Sequence, residues 1–307
     1  MATYLHLIDD NGIHPVPVPY RSLIMPGGEP FVTLPHETFR SADGVFIDAR
    51  IGSMDDFGIL LAVLDALSEI PMSYRPHLFI PYFPGARGDR VNHRDGTALA
   101  ARMYAKALND YDLTHVLVLD PHSDVTAAVV DNCTAVPITE VLALLPPQRW
   151  DAIVCPDQGA EKRTAAAAKA LGIDTIIPAR KVRDTATGAL SGFAVDKAAA
   201  EPIVNGNPNL LIVDDICDGG GTFVGLAERL RADLEPDHGR VSIDLFVTHG
   251  IFSKGILAVT MTNGVNRVFT TDSFPRDRYY PLDGHTGEFE HTVALADLYP
   301  TLYTNYL

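Results

Sequence analysis

Short apolar runs and longer amphipathic segments alternate along most of the chain. The apolar runs predict β-strands at 4–8, 45–49, 77–80, 115–119, 152–155, 175–177, 210–213, 243–247 and 267–270. Apolar residues at helical spacing predict helices at 54–67, 97–108, 136–145 and after Thr222. Strands that alternate with helices in this way are typical of an α/β fold with mostly parallel sheets flanked by helices.

The pattern also suggests two lobes. The segment PPQRW at 146–150 follows a predicted helix, and its prolines indicate a domain boundary near 145–151. A chain of 307 residues has room for two domains of about 150 residues each. No fixed-period repeat is present, yet both halves alternate strands with helices, as two related lobes would. We predict an N-terminal lobe at 1–147, a C-terminal lobe at 148–274 and a tail at 275–307.

Composition excludes several classes of protein. Hydrophobic residues make up 47% of the chain, which is enough for buried cores. The sequence contains no apolar run of about 20 residues, and its start lacks the features of a signal peptide, so we expect a cytoplasmic protein without a membrane span. Cys133, Cys155 and Cys217 are scattered without metal-type spacing, so neither a disulfide framework nor a zinc site is indicated.

The net charge of −15 argues against a nucleic-acid-binding surface. It is compatible with nucleotide substrates only where local basic groups and metal ions offset it. We therefore expect Mg²⁺ as a cofactor.

One stretch, LLIVDDICDGGGTFVGL at 210–226, combines a strand, acidic residues, glycines and the start of a helix. Glycines let successive backbone amides face one concavity, and the N-terminus of the next helix attracts phosphate. Asp214 and Asp215, at the predicted end of the strand, suit the paired hydroxyls of a sugar or a magnesium ion. The stretch therefore predicts a ribose phosphate site, and the alternative is an acidic turn that only caps the helix.

This stretch resembles the phosphoribosyl-binding motif of type I phosphoribosyltransferases and of ribose-phosphate diphosphokinases, the phosphoribosyl diphosphate synthetases. Further segments resemble the diphosphokinases in the same order, namely MPGGEPFVTL at 25–34, PYFPGARGDR at 81–90, DPHSD at 120–124, PDQGAEKR at 156–163, KVR at 181–183 and THGIFS at 248–253. The resemblance covers roughly 25–271 and implies two type I phosphoribosyltransferase-like lobes. The tail after Phe274 matches nothing in it.

The resemblance assigns a role to individual residues. It implies ATP contacts from Glu29, Arg87, Asp89 and His122. It implies a metal site with His122 and Asp157, and a mobile catalytic arm with Lys181 and Arg183. It implies that ribose phosphate is bound by Asp214, Asp215, Asp218, Gly219, Gly220, Gly221 and Thr222. Lys162 and Arg163 carry no predicted role and are expected to face solvent.

The implied reaction is a Mg²⁺-dependent transfer of the diphosphoryl group of ATP to the anomeric hydroxyl of ribose 5-phosphate. The products are phosphoribosyl diphosphate and AMP. The family shares its nucleotide pocket between subunits, which implies a homodimer or a larger homo-oligomer. Two alternatives are a phosphoribosyltransferase, which shares the Asp-Asp glycine loop, and a non-catalytic regulatory homologue.

The chain departs from the family pattern at several positions. Met25 and Gly27 stand where the family has an aromatic and a polar residue for adenine; Phe31 either substitutes for the aromatic ring or faces the core. Gly88 replaces a glutamine that contacts the nucleotide.

Gly219 replaces a threonine whose hydroxyl holds the terminal phosphate. Loss of one charge-assisted hydrogen bond costs about 1.5–3 kcal/mol, which corresponds to about 10- to 100-fold in affinity. Glycine also makes room, so a larger ester such as ADP-ribose is an alternative acceptor.

Overall fold

The computed structural model describes residues 3–91, 96–183, 190–203, 206–261, 264–275 and 290–307. Its chain forms two compact units. Unit 1 comprises Met1–Pro137, Ser273–Pro275 and Leu295–Leu307, and unit 2 comprises Ile138–Asp272 and Arg276–Ala294. Within the described residues, no helix combines the length and apolar character needed to cross a membrane.

Unit 1 is built on a six-stranded sheet in the order β2-β1-β5-β6-β7-β8. The strands of the unit are β1 (Thr3–Asp9), β2 (Gly12–Ile13), β3 (Arg21–Ile24), β4 (Pro30–Thr33), β5 (Gly44–Ala49), β6 (His77–Phe79), β7 (His115–Leu119) and β8 (Cys133–Val136). Strands β5 to β8 are parallel, whereas β1 is antiparallel to both of its neighbours. Strands β3 and β4 form a separate antiparallel hairpin.

The helices of unit 1 are α1 (His36–Arg40), α2 (Met54–Ser68), α3 (Ala100–Leu108), α4 (Val125–Val129) and, from the last part of the chain, α9 (Tyr299–Tyr306). Helix α2 begins where the Ser53 hydroxyl accepts a hydrogen bond from the Asp56 amide at 3.2 Å, a typical N-cap. Its residues Leu60, Val63 and Leu67 lie in the buried core with strand residues such as Ile47. The apolar stripe of this helix therefore covers the sheet, as its spacing predicts.

Unit 2 is built on a seven-stranded sheet in the order β11-β10-β9-β12-β13-β14-β15. Its strands are β9 (Ala152–Cys155), β10 (Ile176–Arg183), β11 (Leu190–Val195), β12 (Asn209–Cys217), β13 (Ser242–Gly250), β14 (Arg267–Thr271) and β15 (Glu290–Val293). All neighbours are parallel except β10 and β11. The helices are α5 (Ile138–Leu142), α6 (Glu161–Leu171), α7 (Gly221–His238) and α8 (Leu257–Thr260).

The α/β architecture expected from the sequence, with mostly parallel sheets flanked by helices, is confirmed. Several element boundaries differ from the prediction, among them the end of β12 and the start of α3. Strand β12 runs to Cys217 rather than ending at Val213, because it pairs with β13 as far as Gly250. Helix α3 begins at Ala100 rather than at Thr97.

The tail is divided between the units. Strand β15 joins the unit 2 sheet beside β14, and α9 belongs to unit 1. There the Tyr299 hydroxyl donates to Asp48 at 2.7 Å and lies 3.2 Å from His6 Nε2. Asp48 also accepts from Arg50 Nη2 at 2.6 Å. Helix α9 is thus held to unit 1 through a buried polar group on β5.

Candidate active site

Asp214 and Asp215, the adjacent acidic pair of the stretch 210–226, lie near the carboxyl end of β12, the strand between β9 and β13. The sequence predicted that the apolar strand ends at Val213, directly before this pair, whereas Ile216 and Cys217 still pair with β13. Asp215 is only 4% exposed. Asp214 is largely buried, and one of its carboxylate oxygens accepts a hydrogen bond from the Asp215 amide at 2.9 Å. Ligands of open α/β sheets bind at this edge.

Arg163 faces these two carboxylates. Its Nη1 lies 3.5 Å from Asp214 Oδ1 and 3.8 Å from Asp215 Oδ1, and its side chain is 12% exposed. The expectation that Arg163 faces solvent was therefore wrong. A signal was present in the sequence: Ala160, Thr164 and Ala167 form the buried face of α6 and its first turn, and Arg163 stands at the edge of that face by helical spacing.

Burial has the largest effect on the pKa of Asp214. Burial and the adjacent Asp215 carboxylate raise the pKa of Asp214 well above its ordinary value, whereas the charge of Arg163 lowers it. Arg163 is thus the cation that favours ionised carboxylates at this strand end. A sugar hydroxyl donates to a carboxylate, so the ionised form is the one that suits a ribose.

The glycine loop follows β12 and leads into α7. Gly220 adopts φ +77°, and a Cβ at this position would lie 2.6 Å from Val259 Cγ2, so only glycine fits without displacement. At Gly221, the first residue of α7, an added Cβ would meet nothing within 4 Å. The space beside the first residue of the helix is therefore open, which leaves room for a phosphate group at the helix N-terminus. Asp218, Gly219 and Thr222 are all partly exposed around it.

Lys181 and Asp157, predicted for catalysis and metal binding, contact each other. Lys181 Nζ donates to Asp157 Oδ2 at 2.7 Å, while Asp157 Oδ1 accepts from the Gly159 amide at 3.0 Å. Both side chains are partly exposed. Lys181 and Arg183 lie on β10, which pairs with β11. Residues 184–189 of the predicted arm lie outside the described residues.

The residues predicted to bind ATP lie in unit 1. Arg87 is exposed, and Asp89 is partly exposed, in the turns after β6. Gly88 has no space for the family's glutamine, because an added Cβ would lie 2.8 Å from Ala100 Cβ. His122 is exposed in the turn between β7 and α4. These placements leave their assignment to ATP a prediction.

The predicted adenine segment forms the β3–β4 hairpin. Met25 and Phe31 are each 44% exposed, so Phe31 does not face the core. The Arg21 guanidinium carbon lies 5.9 Å from the centre of the Phe31 ring, within the range of a cation–π contact. Gly27 makes room for the neighbouring carboxylate, since an added Cβ would lie 2.5 Å from Glu29 Oε2.

The described residues contain no cluster of three or more His, Cys, Asp or Glu side chains that could hold a metal. Mg²⁺ commonly uses only one or two carboxylates and takes its remaining ligands from water and substrate phosphates. Asp157, Asp214 and Asp215 supply such carboxylates in unit 2, and Asp157 is only partly buried. The oxygen donors present therefore fit Mg²⁺ bound together with a phosphate substrate.

Comparison with known proteins identifies the family. No protein-family model matches the chain. A ribose-phosphate pyrophosphokinase of Granulibacter bethesdensis is 30% identical over 251 residues, covering 80% of this chain and 76% of the relative. A ribose-phosphate pyrophosphokinase of Ralstonia nicotianae is 30% identical over 228 residues, covering 72% of this chain and 67% of the relative.

The fold agrees with these relatives. The crystal structure of phosphoribosylpyrophosphate synthetase from Mycobacterium smegmatis superposes with a TM-score of 0.70 at 21% identity, covering 92% of this chain and 88% of that one. The resemblance inferred from the motifs is thereby confirmed. The chain belongs to the ribose-phosphate pyrophosphokinase family and is a transferase of that type.

Proposed function

We propose that the protein transfers the diphosphoryl group of ATP to the anomeric hydroxyl of ribose 5-phosphate in a Mg²⁺-dependent reaction. The anomeric oxygen forms a bond to the β-phosphorus, the bond from that phosphorus to the oxygen bridging the α-phosphate breaks, and AMP leaves with that oxygen. The hydroxyl proton passes to solvent. The observation that carries the proposal is the β12 carboxylate pair with Arg163 beside the open start of α7.

In this proposal the residues of unit 2 bind the acceptor. Asp214 and Asp215 accept hydrogen bonds from ribose hydroxyls, and Arg163 is a positioning residue that favours their ionised form. The loop Asp218–Thr222 receives the 5-phosphate. Phosphoryl-type transfer requires alignment and neutralisation of charge rather than a protein nucleophile.

Lys181 and Arg183 are proposed to neutralise charge on the transferred phosphates. Lys181 bonds to Asp157 in the structure, so in the proposed reaction it exchanges this carboxylate for phosphate oxygens. A bound Mg²⁺ would be held by Asp157 and the β12 carboxylates, and it supplies neutralisation of the triphosphate charge. Glu29, Arg87, Asp89 and His122 of unit 1 are proposed to bind ATP.

A product assay tests the proposal. The protein is incubated with Mg-ATP and either ribose 5-phosphate or ADP-ribose, and the products are identified by mass spectrometry. We expect AMP and phosphoribosyl diphosphate with ribose 5-phosphate. Absence of AMP with every ribose phosphate tested would refute the proposal and reopen the regulatory alternative.

A variant pair then tests the site itself. Asp215→Asn removes one buried ribose-binding carboxylate, and we expect kcat/KM for ribose 5-phosphate to fall by about 10- to 100-fold, the value of a charge-assisted hydrogen bond. Asp174→Asn makes the same chemical change at an exposed position of unit 2 and should leave kcat/KM unchanged. Equal kinetics for the two variants would exclude Asp215 from the site.

A further inference from the structure

Lys254 lies beside the glycine that replaces the family's threonine. If a Cβ were added to Gly219, its distances to Lys254 would be 3.5 Å to Cε, 3.6 Å to Cδ and 3.9 Å to Nζ. These are the three nearest atoms to that point. The ammonium group of Lys254 thus stands next to the volume that a threonine side chain would occupy.

The backbone fixes this placement. Strands β12 and β13 are parallel neighbours, so the segments that follow them meet at one edge of the sheet. After β13 the chain turns back, and the amides of Ile251 and Phe252 donate to the Cys217 carbonyl at 2.9 and 3.1 Å. The Gly255 amide then closes a tight turn onto the Phe252 carbonyl at 2.7 Å. Lys254 is therefore presented to the glycine loop from a turn tied to the end of β12.

The charge of Lys254 is available for a ligand. Its side chain is exposed, and it makes no ion pair with any residue in the part of the chain that the structure describes. Arg163, in contrast, is engaged by Asp214 and Asp215. A phosphate entering beside these acidic residues requires a cation, and a phosphate monoester carries about −1.5 to −2 charges at pH 7.

We propose that Lys254 binds the 5-phosphate of the acceptor and takes the place of the threonine hydroxyl that Gly219 lacks. This inference rests on the proposed function and makes it more specific. The lysine stem lies 3.5–3.6 Å from the position of the missing Cβ, so it borders the space beside Gly219 and limits the room there for a larger ester. A compact ammonium group favours a doubly charged phosphate monoester over the singly charged phosphates of a diphosphate diester. The acceptor is therefore ribose 5-phosphate rather than ADP-ribose.

A double-mutant cycle tests this pair with wild type, Gly219→Thr, Lys254→Ala and the double variant. Threonine fits at Gly219, because the nearest contact of an added Cβ is 3.5 Å and the backbone there is not left-handed. Dissociation constants for ribose 5-phosphate, inorganic phosphate and unphosphorylated ribose are measured by calorimetry without ATP. The control is Lys169→Ala, which removes an exposed lysine from the last turn of α6.

We expect Lys254→Ala to raise the dissociation constants for ribose 5-phosphate and phosphate by about 10-fold and to leave ribose binding unchanged. Gly219→Thr in the Lys254→Ala background should recover most of that loss, and Lys254→Arg should retain affinity. In steady-state assays Lys254→Ala should raise KM for ribose 5-phosphate with little change in kcat.

Two outcomes would overturn the inference: unchanged phosphate affinity in Lys254→Ala, or a wild-type protein that binds neither ribose 5-phosphate nor phosphate. The failure of the proposed function is distinguishable from both. If phosphate affinity falls in Lys254→Ala while wild type forms no AMP from ATP and ribose 5-phosphate, the phosphate site stands and the diphosphokinase reaction does not.

Discussion

At the scale of single residues, the proposed site sets the charge of Arg163 against two carboxylates, the buried Asp215 and the largely buried Asp214. Sequence motifs predicted Asp214 and Asp215 as site residues, because an acidic pair before glycines is visible along the chain. They did not identify Arg163, because its contact with residues more than 50 positions away exists only after β9, α6 and β12 have packed. Side chains that act through long-range contacts are therefore the part of the site that local patterns miss.

The pH dependence of kcat/KM in an Arg163→Gln variant tests this balance of charge. Arg163 lowers the pKa of Asp214 against the opposing effects of burial and Asp215, so its loss raises that pKa further. The ionised pair should then form only at higher pH, and the acidic limb of the kcat/KM profile for ribose 5-phosphate should move to higher pH. At pH 7 we expect a loss of about 10- to 100-fold, partly recovered at alkaline pH.

Lys162→Gln is the control, because Lys162 is the exposed neighbour of Arg163 on α6. Its pH profile should match that of wild type. If Arg163→Gln lowers activity equally at every pH, the arginine acts by some means other than the ionisation of the carboxylates.

At the scale of elements, the buried parallel strands were predicted, β7 and β9 with the bounds that the structure has, whereas the end of β12 was missed. Apolar runs such as 152–155 and 210–213 are buried on both faces of a parallel sheet, so composition alone marks them. The final residues of β12 include Asp214 and Asp215, which ladder pairing holds in the strand although their side chains favour a turn. Short edge or hairpin strands, such as β3, β4 and β15, carry too few apolar residues to stand out.

The conformation of the loop between β12 and α7 leads to a prediction about the free energy of unfolding. Gly220→Ala forces a Cβ into Val259 and a left-handed backbone onto alanine, which should cost about 1–3 kcal/mol of the free energy of unfolding. Gly221→Ala is the matched control, because it places a methyl group in open space at the first position of a helix. Thermal unfolding should show a lower Tm for the first variant alone, and an equal Tm for both would contradict the described loop.

The position of Lys181 on β10 leads to a prediction about catalysis. Lys181→Met removes a cation proposed to stabilise charge on the transferred phosphates, so kcat should fall by about 100- to 1,000-fold, with little change in the dissociation constant for ribose 5-phosphate. The lost pair with Asp157 is partly exposed and should contribute no more than about 1 kcal/mol to stability.

The control for Lys181→Met is Lys197→Met, which removes an exposed ion pair with Asp237 in the same unit. Single-turnover measurement of AMP release compares the two variants. A Lys181→Met variant with the wild-type rate would remove Lys181 from the proposed chemistry.

At the scale of the whole molecule, the two compact units are not two consecutive halves of the chain, because each contains separate segments of it. Alternation of strands and helices predicted the α/β class, which depends on local periodicity. The assignment of residues after 272 to both units could not be predicted, because the tail has no recognisable motif and its position depends on Tyr299 reaching Asp48.

Tyr299→Phe measures what this anchor contributes. The change leaves the buried Asp48 and Arg50 pair without the hydroxyl at 2.7 Å, and we expect a loss of about 1–3 kcal/mol in the free energy of unfolding. Tyr303→Phe removes a bond of 3.1 Å to the Asp9 carbonyl at a half-buried position and should cost less, about 0.5–1.5 kcal/mol. Denaturant unfolding followed by fluorescence compares them, and equal stability of Tyr299→Phe and wild type would show that the anchor contributes nothing.

The divided tail also orders events during synthesis. The ribosome makes the first strand of unit 1 before any of unit 2, and it makes α9 after β15, the last strand of unit 2. Unit 1 therefore cannot form the hydrogen bond from Tyr299 to Asp48 until every strand of unit 2 has been synthesised. The unit whose synthesis begins first is therefore also the one whose last helix is synthesised at the end.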